Sequence, residues 1–276
     1  MNLEMESKSR CKVCVTGGAG YIGSALVHSL LQNGYTVHAT LRNLDAEERL
    51  HLFEADIYRP QEFEEAIQGC VYVFHLATPI YDTSGYKYND KIKATISAVK
   101  KIVDVCIQSR TVKRLIYTAS VVAASPLKDD GSGYKTTMDE SCWTPFHINV
   151  PYSNDFVKEY TEAKTRAEQE ILKIGEDEAN ELEVVTLSCG LVGGRETPMV
   201  NGRFLCSSSY ITSAEMAKYY QENYPQFHLK QEYFEGPKRD IKWGSRKLED
   251  EGFSYKHDAK TILDDCIEYA RRSGNI

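Results

Sequence analysis

The sequence contains no run of the roughly 18 apolar residues that a membrane-spanning helix requires, and its opening residues, MNLEMESKSR, have no apolar core of the kind a secretory signal carries. A cytoplasmic location is therefore expected. Positive charge is not in excess: 33 Lys and Arg face 40 Asp and Glu, for a net charge of −7, and no basic stripe stands out. That removes nucleic acid from the expected partners. Zinc-type spacing is lacking too. Cys11 and Cys14 form a C-x-x-C inside a predicted strand, with no second pair and no histidine at ligand distance. No metal is expected, and the eight cysteines read as reduced thiols. The acidic residues Glu176, Asp177, Glu178, Glu181 and Glu183 read as a solvated helix end and turn. There is no internal repeat and no linker-like stretch.

What the chain does contain is alternation. With 276 residues, 42% hydrophobic and 26% charged, it is long enough for one large globular domain or one and a half. CKVCVT (Cys11 to Thr16) is a short apolar run that ends in glycines, hence a buried strand. From Tyr21 the apolar residues Ile22, Ala25, Leu26 and Leu30 share a helical face, and Asn33-Gly34 stops it. YTVHATL (Tyr35 to Leu41) is a second strand, completing a βαβ unit. Further strands are expected at Leu50–Asp56, Val71–Ala77, Val112–Ser120 and Leu182–Val192, with another apolar stretch at Arg203–Cys206. Helices are expected at Pro60–Ile67, along Ile92 to Cys106, from about Ser153 to Lys173, near 213–222 and near 258–272. Residues 124–151 read as loop. The pattern predicts an α/β fold: a doubly wound parallel Rossmann-type sheet with a small, reduced C-terminal substrate region. The division expected is 1–192 for dinucleotide binding and 193–276 for the region packed on it.

Two connections are short for this fold. Eight residues, RNLDAEER, separate Leu41 from Leu50, and only eight more, 195–202, lie between Gly194 and the apolar stretch that begins at Arg203. A parallel crossover usually takes a dozen residues or more and contains a helix, so both links look cramped.

TGGAGYIG (Thr16 to Gly23) carries the strongest chemical signal. Gly17 permits a tight turn, Gly20 lets backbone approach a pyrophosphate, and Gly23 lets the helix sit close on the strand. The helix start then offers free N–H donors to phosphate. At the end of the second strand, where an NAD site usually carries an acid, stands Arg42. Its forked cation suits a 2′-phosphate, so NADP(H) is the expected cofactor, while Asp45 leaves a ribose-binding acid open. YTEAK places Tyr160 and Lys164 one turn apart on a helix face. A nearby ammonium is expected to lower the tyrosine pKa and fit it for proton transfer to a carbonyl oxygen. Tyr160 also falls on an apolar stripe with Phe156, Ala163, Ala167 and Ile171, so spacing alone leaves core packing and chemistry both open. Ser120 ends the fifth predicted strand, where ligands bind in such sheets.

These segments, with FEADI (Phe53 to Ile57), GCVYVFHLATP (Gly69 to Pro79), VKRLIYTAS (Val112 to Ser120), DESCWTP (Asp139 to Pro145), YTEAKTRAEQ (Tyr160 to Gln169) and GRFLCSS (Gly202 to Ser208), resemble the extended short-chain dehydrogenase/reductase family, in particular its plant dihydroflavonol reductase-like group. The resemblance covers most of the chain. It implies Ser120, Tyr160 and Lys164 as the catalytic residues. It implies Gly17, Gly20, Tyr21, Ile22 and Gly23 around the pyrophosphate, Arg42 at the 2′-phosphate, Asp56 and Ile57 by the adenine, and Ala77 and Thr78 on the nicotinamide side. The implied reaction is NADPH-dependent reduction of a carbonyl on a phenolic, flavonoid-like small molecule.

Against the family pattern the chain is shortened at the two links already noted. A helix after the cofactor arginine is missing, and so is a segment of several tens of residues after the GLVGG strand, including much of the substrate lid and at least one strand. Such a loss would expose apolar sheet surface and wet the site. Ser188 replaces a proline common in relatives. Two further readings stay open: a shortened relative that binds NADP with little turnover, and a nucleotide-sugar epimerase or dehydratase. Monomer and dimer are both compatible with the sequence.

Overall fold

A computed structural model describes residues 11–41, 49–78, 91–148, 154–176, 181–190, 202–207, 211–235, 241–272 and 274. β1 (Lys12–Thr16) leads through the glycine turn into α1 (Tyr21–Gln32), then β2 (Thr36–Leu41) and β3 (Leu50–Glu54). A 3₁₀ turn and α2 (Phe63–Ile67) precede β4 (Tyr72–His75); α3 (Lys91–Ser109) precedes β5 (Arg114–Ser120). After β6 (Thr137–Met138) come α4 (Asp155–Gly175), β7 (Glu183–Cys189) and β8 (Gly202–Cys206). The C-terminal part holds α5 (Ser213–Asn223), β9 (Lys242–Trp243), α6 (Lys247–Asp250) and α7 (Ala259–Arg272).

The main sheet has seven strands in the order β3-β2-β1-β4-β5-β7-β8, every neighbouring pair parallel. This is the doubly wound Rossmann-type arrangement that the alternation predicted. β6 and β9 form a separate two-residue parallel pair. Neither it nor α6 carries a periodicity long enough to read from sequence.

Period-two alternation explains how one strand serves two cores. Val13 and Val15 face a cluster with Val37, Ala39 and Val27 under α1. Cys14, between them, faces the opposite cluster, built by α2, α3 and α4 around Phe63, Ile102, Val103 and Ile171. Fully burying side chains of this size contributes roughly 1.5–3 kcal/mol each, so both helical layers are held by packing rather than by helix propensity.

The two short links do not interrupt the sheet. Leu41 pairs with Glu54, and Cys189 pairs with Cys206, in unbroken ladders. A link needs only to travel back along a five-residue strand, about 17 Å. Eight extended residues reach roughly 26–29 Å and twelve reach roughly 40–43 Å, so neither ladder is forbidden. Residues 42–48 and 191–201 lie outside the described residues. β8 comes from beyond residue 192, so the main sheet draws on both of the expected units.

The expected exposure of apolar sheet surface is corrected at this edge. Ile116, Val185 and Phe204 are buried, and Leu248, Phe253 and Tyr255 of the C-terminal part pack against them. The 247–255 segment caps the sheet face there. Among the described residues no helix is long and apolar enough to cross a membrane.

Candidate active site

A cavity of about 620 Å³ lies along the C-terminal ends of the strands. Every predicted site residue among the described ones lines it. Arg42 and Asp45 lie outside the described residues.

The glycine loop forms one wall. Gly17 has φ +71°, a left-handed conformation that favours glycine. A methyl on Gly23 would sit 2.1 Å from the Gly17 carbonyl oxygen, so α1 starts flush against the turn only because Gly23 has no side chain. Gly20 caps α1 with no side-chain hydrogen bond, and the first turn holds no acidic residue. Its N–H groups thus keep free donor capacity beside the cavity, which fits a pyrophosphate. Tyr21, 55% exposed, packs edge-on against Tyr269 of α7, ring centres 5.2 Å apart. Ile22 lies next to it, half-buried.

Thr16 joins this wall to the next strand. Its oxygen accepts hydrogen bonds from the Leu76 and Ala77 N–H groups at 3.0 and 3.1 Å. Its own proton is then free for Nδ1 of buried His75, 2.8 Å away. Burial, with Lys164 nearby, pushes the His75 pKa down to about 3, so the ring is neutral and Nδ1 is available as an acceptor. This pairing holds Ala77 and Thr78 beside the glycine turn. Asp56 and Ile57 line the cavity after β3, where Asp56 accepts from the Tyr58 N–H at 3.1 Å.

α4 supplies the chemistry-bearing face. Asn154 caps it by accepting from the Val157 N–H at 2.8 Å, which sets Tyr160 and Lys164 on successive turns. The apolar stripe divides. Ala163, Ala167 and Ile171 are core, whereas Phe156 is exposed and Tyr160, half-buried, lines the cavity. Lys164, 3% exposed, donates to Thr78 Oγ1 at 2.7 Å and to the Thr118 carbonyl at 2.8 Å. Desolvation brings its pKa down to about 8. The Tyr160 pKa moves opposite to expectation: burial of the phenol raises it, and the hydrogen bond from the Ser120 hydroxyl only partly offsets the rise. Desolvation of the phenol dominates, while the lysine directs two of its donors to Thr78 and Thr118. Ser120 also accepts from the Val122 N–H at 3.4 Å, which orients it at the strand end.

Thr16, His75 and Thr118 were not singled out by motif. The only sequence signal for them was a polar residue closing or interrupting an apolar strand. Ser188, the departure from the proline pattern, is buried and donates to Glu168 at 2.8 Å. Among the described residues no group of three or more His, Cys, Asp or Glu side chains could hold a metal.

The fold and cavity define a Rossmann-type dinucleotide-binding protein with a Ser-Tyr-Lys cluster at the strand ends. Residues 13–207 match the NAD dependent epimerase/dehydratase family, and the chain belongs to it. A nicotinamide dinucleotide is thus its cofactor class. Similar proteins include vestitone reductase of Medicago sativa, 29% identical over 335 residues that cover 98% of this chain and 100% of that protein. Dihydroflavonol 4-reductase of Gerbera hybrida is 29% identical across 98% of this chain and 88% of its own length. The crystal structure of alfalfa vestitone reductase aligns with a TM-score of 0.71, covering 96% of this chain and 99% of that one.

Proposed function

We propose that the chain is an NADPH-dependent reductase of a carbonyl on a phenolic, flavonoid-like substrate, with Tyr160 as proton donor. The observation that carries this reading is the meeting of Ser120, Tyr160 and Lys164 in one cavity with the glycine loop. NADPH, when bound, supplies the hydride. Tyr160, its pKa raised by burial, is protonated at neutral pH and holds the proton a nascent alkoxide needs. Ser120, hydrogen-bonded to the phenol, is placed to hold the substrate oxygen and to steady the phenolate left after transfer. Lys164 is cationic below about pH 8 and pinned through two of its three N–H donors, leaving one for a ribose hydroxyl. Preference for NADPH over NADH rests on the chemistry of Arg42 at the end of the second strand. The phenolic substrate class rests on the similar plant reductases.

One observation favours a second reading, a cofactor-binding form with little turnover. The alignment with vestitone reductase runs over 335 positions, but this chain has 276 residues, so several tens of positions there have no counterpart here.

Titration with NADPH and, separately, NADH, followed by nicotinamide fluorescence, tests the cofactor. Ketone-dependent NADPH oxidation, in the wild type and in Tyr160→Phe, tests the chemistry. Selective NADPH binding with turnover that drops about 10²–10⁴-fold in Tyr160→Phe is expected. Binding without turnover on any flavonoid ketone would favour the second reading. Equal affinity for both cofactors would remove Arg42, and full activity in Tyr160→Phe would remove the proton donor.

A further inference from the structure

Two cysteines that the proposed chemistry does not use meet at the edge of the cavity. Cys189 ends β7 and lines the cavity with Tyr160 and Lys164. Cys206 ends β8 and is its register partner across the parallel ladder. Paired residues of adjacent parallel strands point to the same face, and the strands run about 4.8 Å apart. That spacing falls inside the roughly 4.4–6.8 Å between α-carbons that a disulfide accepts. The Cys206 thiol lies 3.7 Å from the Phe204 carbonyl oxygen, to which it donates, and the two thiols influence each other's protonation. Four other cysteines, at 14, 70, 106 and 142, are buried.

We infer that Cys189 and Cys206 form a thiol–disulfide exchange site, with Cys189 the attacking sulfur, Cys206 the resolving one, and a small organic disulfide the reactant. The Cys189 thiolate attacks one sulfur of the reactant, forming a mixed disulfide and expelling one thiolate. Cys206 then loses its proton and attacks the Cys189 sulfur, expelling the second thiolate. In sum, two protein thiols become one protein disulfide, and the reactant is reduced to two thiols. The environment suits these roles. The neighbouring Cys206 thiol, with the Lys164 charge, lowers the Cys189 pKa against the opposing effect of burial, while Cys189 and burial raise that of Cys206. Neither residue was identified as a site from sequence, because the sixteen residues of strand and link between them do not reveal which cysteines become register partners.

The test treats purified full-length protein with hydroxyethyl disulfide and reads intact mass and tryptic peptides. Trypsin releases Cys189 in Ile174–Arg195 and Cys206 in Phe204–Lys218, so the product is a cross-linked pair. The expected result is a mass lower by two hydrogens, that cross-linked peptide, and reversal by dithiothreitol. In Cys206→Ser the first step has no resolving partner, so a stable mixed disulfide on Cys189 is expected. Modification of Cys11 or Cys266 with Cys189 left free would overturn the inference, as would a Cys206→Ser protein with no adduct on Cys189. If the cavity also holds NADPH, cofactor at ten times its Kd slows the exchange about tenfold. Exchange without such protection would count against the cofactor reading and leave the thiol site standing.

Discussion

The buried pair of Glu168 and Arg203 offers the sharpest test of how this fold is held together. Glu168 is fully buried on α4, and Arg203 on β8 is 6% exposed. Arg203 donates to Glu168 at 3.1 and 3.4 Å, and to the carbonyls of Glu140, Cys142 and Ala123 at 2.7, 2.8 and 3.4 Å. Its guanidinium also lies 3.6 Å from the centre of the Trp143 ring. Glu168 in turn accepts from Thr186 and Ser188, each at 2.8 Å. One ion pair therefore ties α4, β7, β8 and the 123–143 loop together beside the cavity. Glu168→Gln keeps the shape but leaves the Arg203 cation buried without a counter-charge, and its amide turns a donor toward a donor. Breaking such a pair costs about 3–5 kcal/mol. For a chain of this size that lowers the melting temperature by roughly 6–20 °C. Replacing both partners with Glu168→Gln and Arg203→Met should recover part of the loss, because no buried charge is then left alone. Thermal melts and urea titrations of the two single variants and the double variant complete the cycle. A Glu168→Gln loss below about 1 kcal/mol, the range of an exposed pair, would refute the reasoning.

Three further outcomes are expected. Gly23→Ala would drive a methyl into the Gly17 carbonyl; an overpacking cost of about 1–3 kcal/mol on the loop should weaken NADPH binding roughly 5- to 150-fold, with the far-ultraviolet circular dichroism unchanged. Unchanged affinity would mean that the loop does not touch the cofactor. NADPH affinity should be flat below the Lys164 pKa of about 8 and fall above it as the ammonium loses its proton in the free protein. Lys164→Arg, charged throughout, should remove that bend, and a wild-type profile without a bend would exclude Lys164 from cofactor binding. Thr16→Val removes the acceptor for two backbone N–H groups and the partner of His75 Nδ1, so stability should fall by at least about 1–3 kcal/mol in urea unfolding and cofactor affinity should weaken with it. A neutral effect on both would show that the corner after β4 is held by packing alone.

Much of the fold was legible because its signals are local. Apolar runs ending in glycine, the face shared by Ile22, Leu26 and Leu30, and the long stripe through α3 each depend on residues within a few turns of one another. The two short links misled for the opposite reason. Connection length is a statistical guide to how parallel strands are usually joined, but whether β7 and β8 pair depends on reach and on the hydrogen-bonding edge β7 presents. The Tyr160–Lys164 spacing correctly placed both groups on one helix face and wrongly implied the direction of the phenol's pKa. Burial of the phenol, which the spacing does not reveal, sets that direction, and Thr78 and Thr118, 86 and 46 residues away from Lys164, take two of the lysine's donors.

By itself, the sequence determined the strand–helix alternation, the glycine turn with its anion-ready helix start, and the presence of Ser120, Tyr160 and Lys164 at positions where such a sheet can use them. Periodicity, chirality and the small size of glycine act over short stretches of chain and so are written in its order. Only the tertiary structure decided that Arg203 meets Glu168, that Thr16 fixes His75, and that Cys189 faces Cys206. Those partners lie 17 to 59 residues apart in the chain, beyond the reach of local periodicity, and each meeting follows from strand order and register, which the packing of both sheet faces sets together.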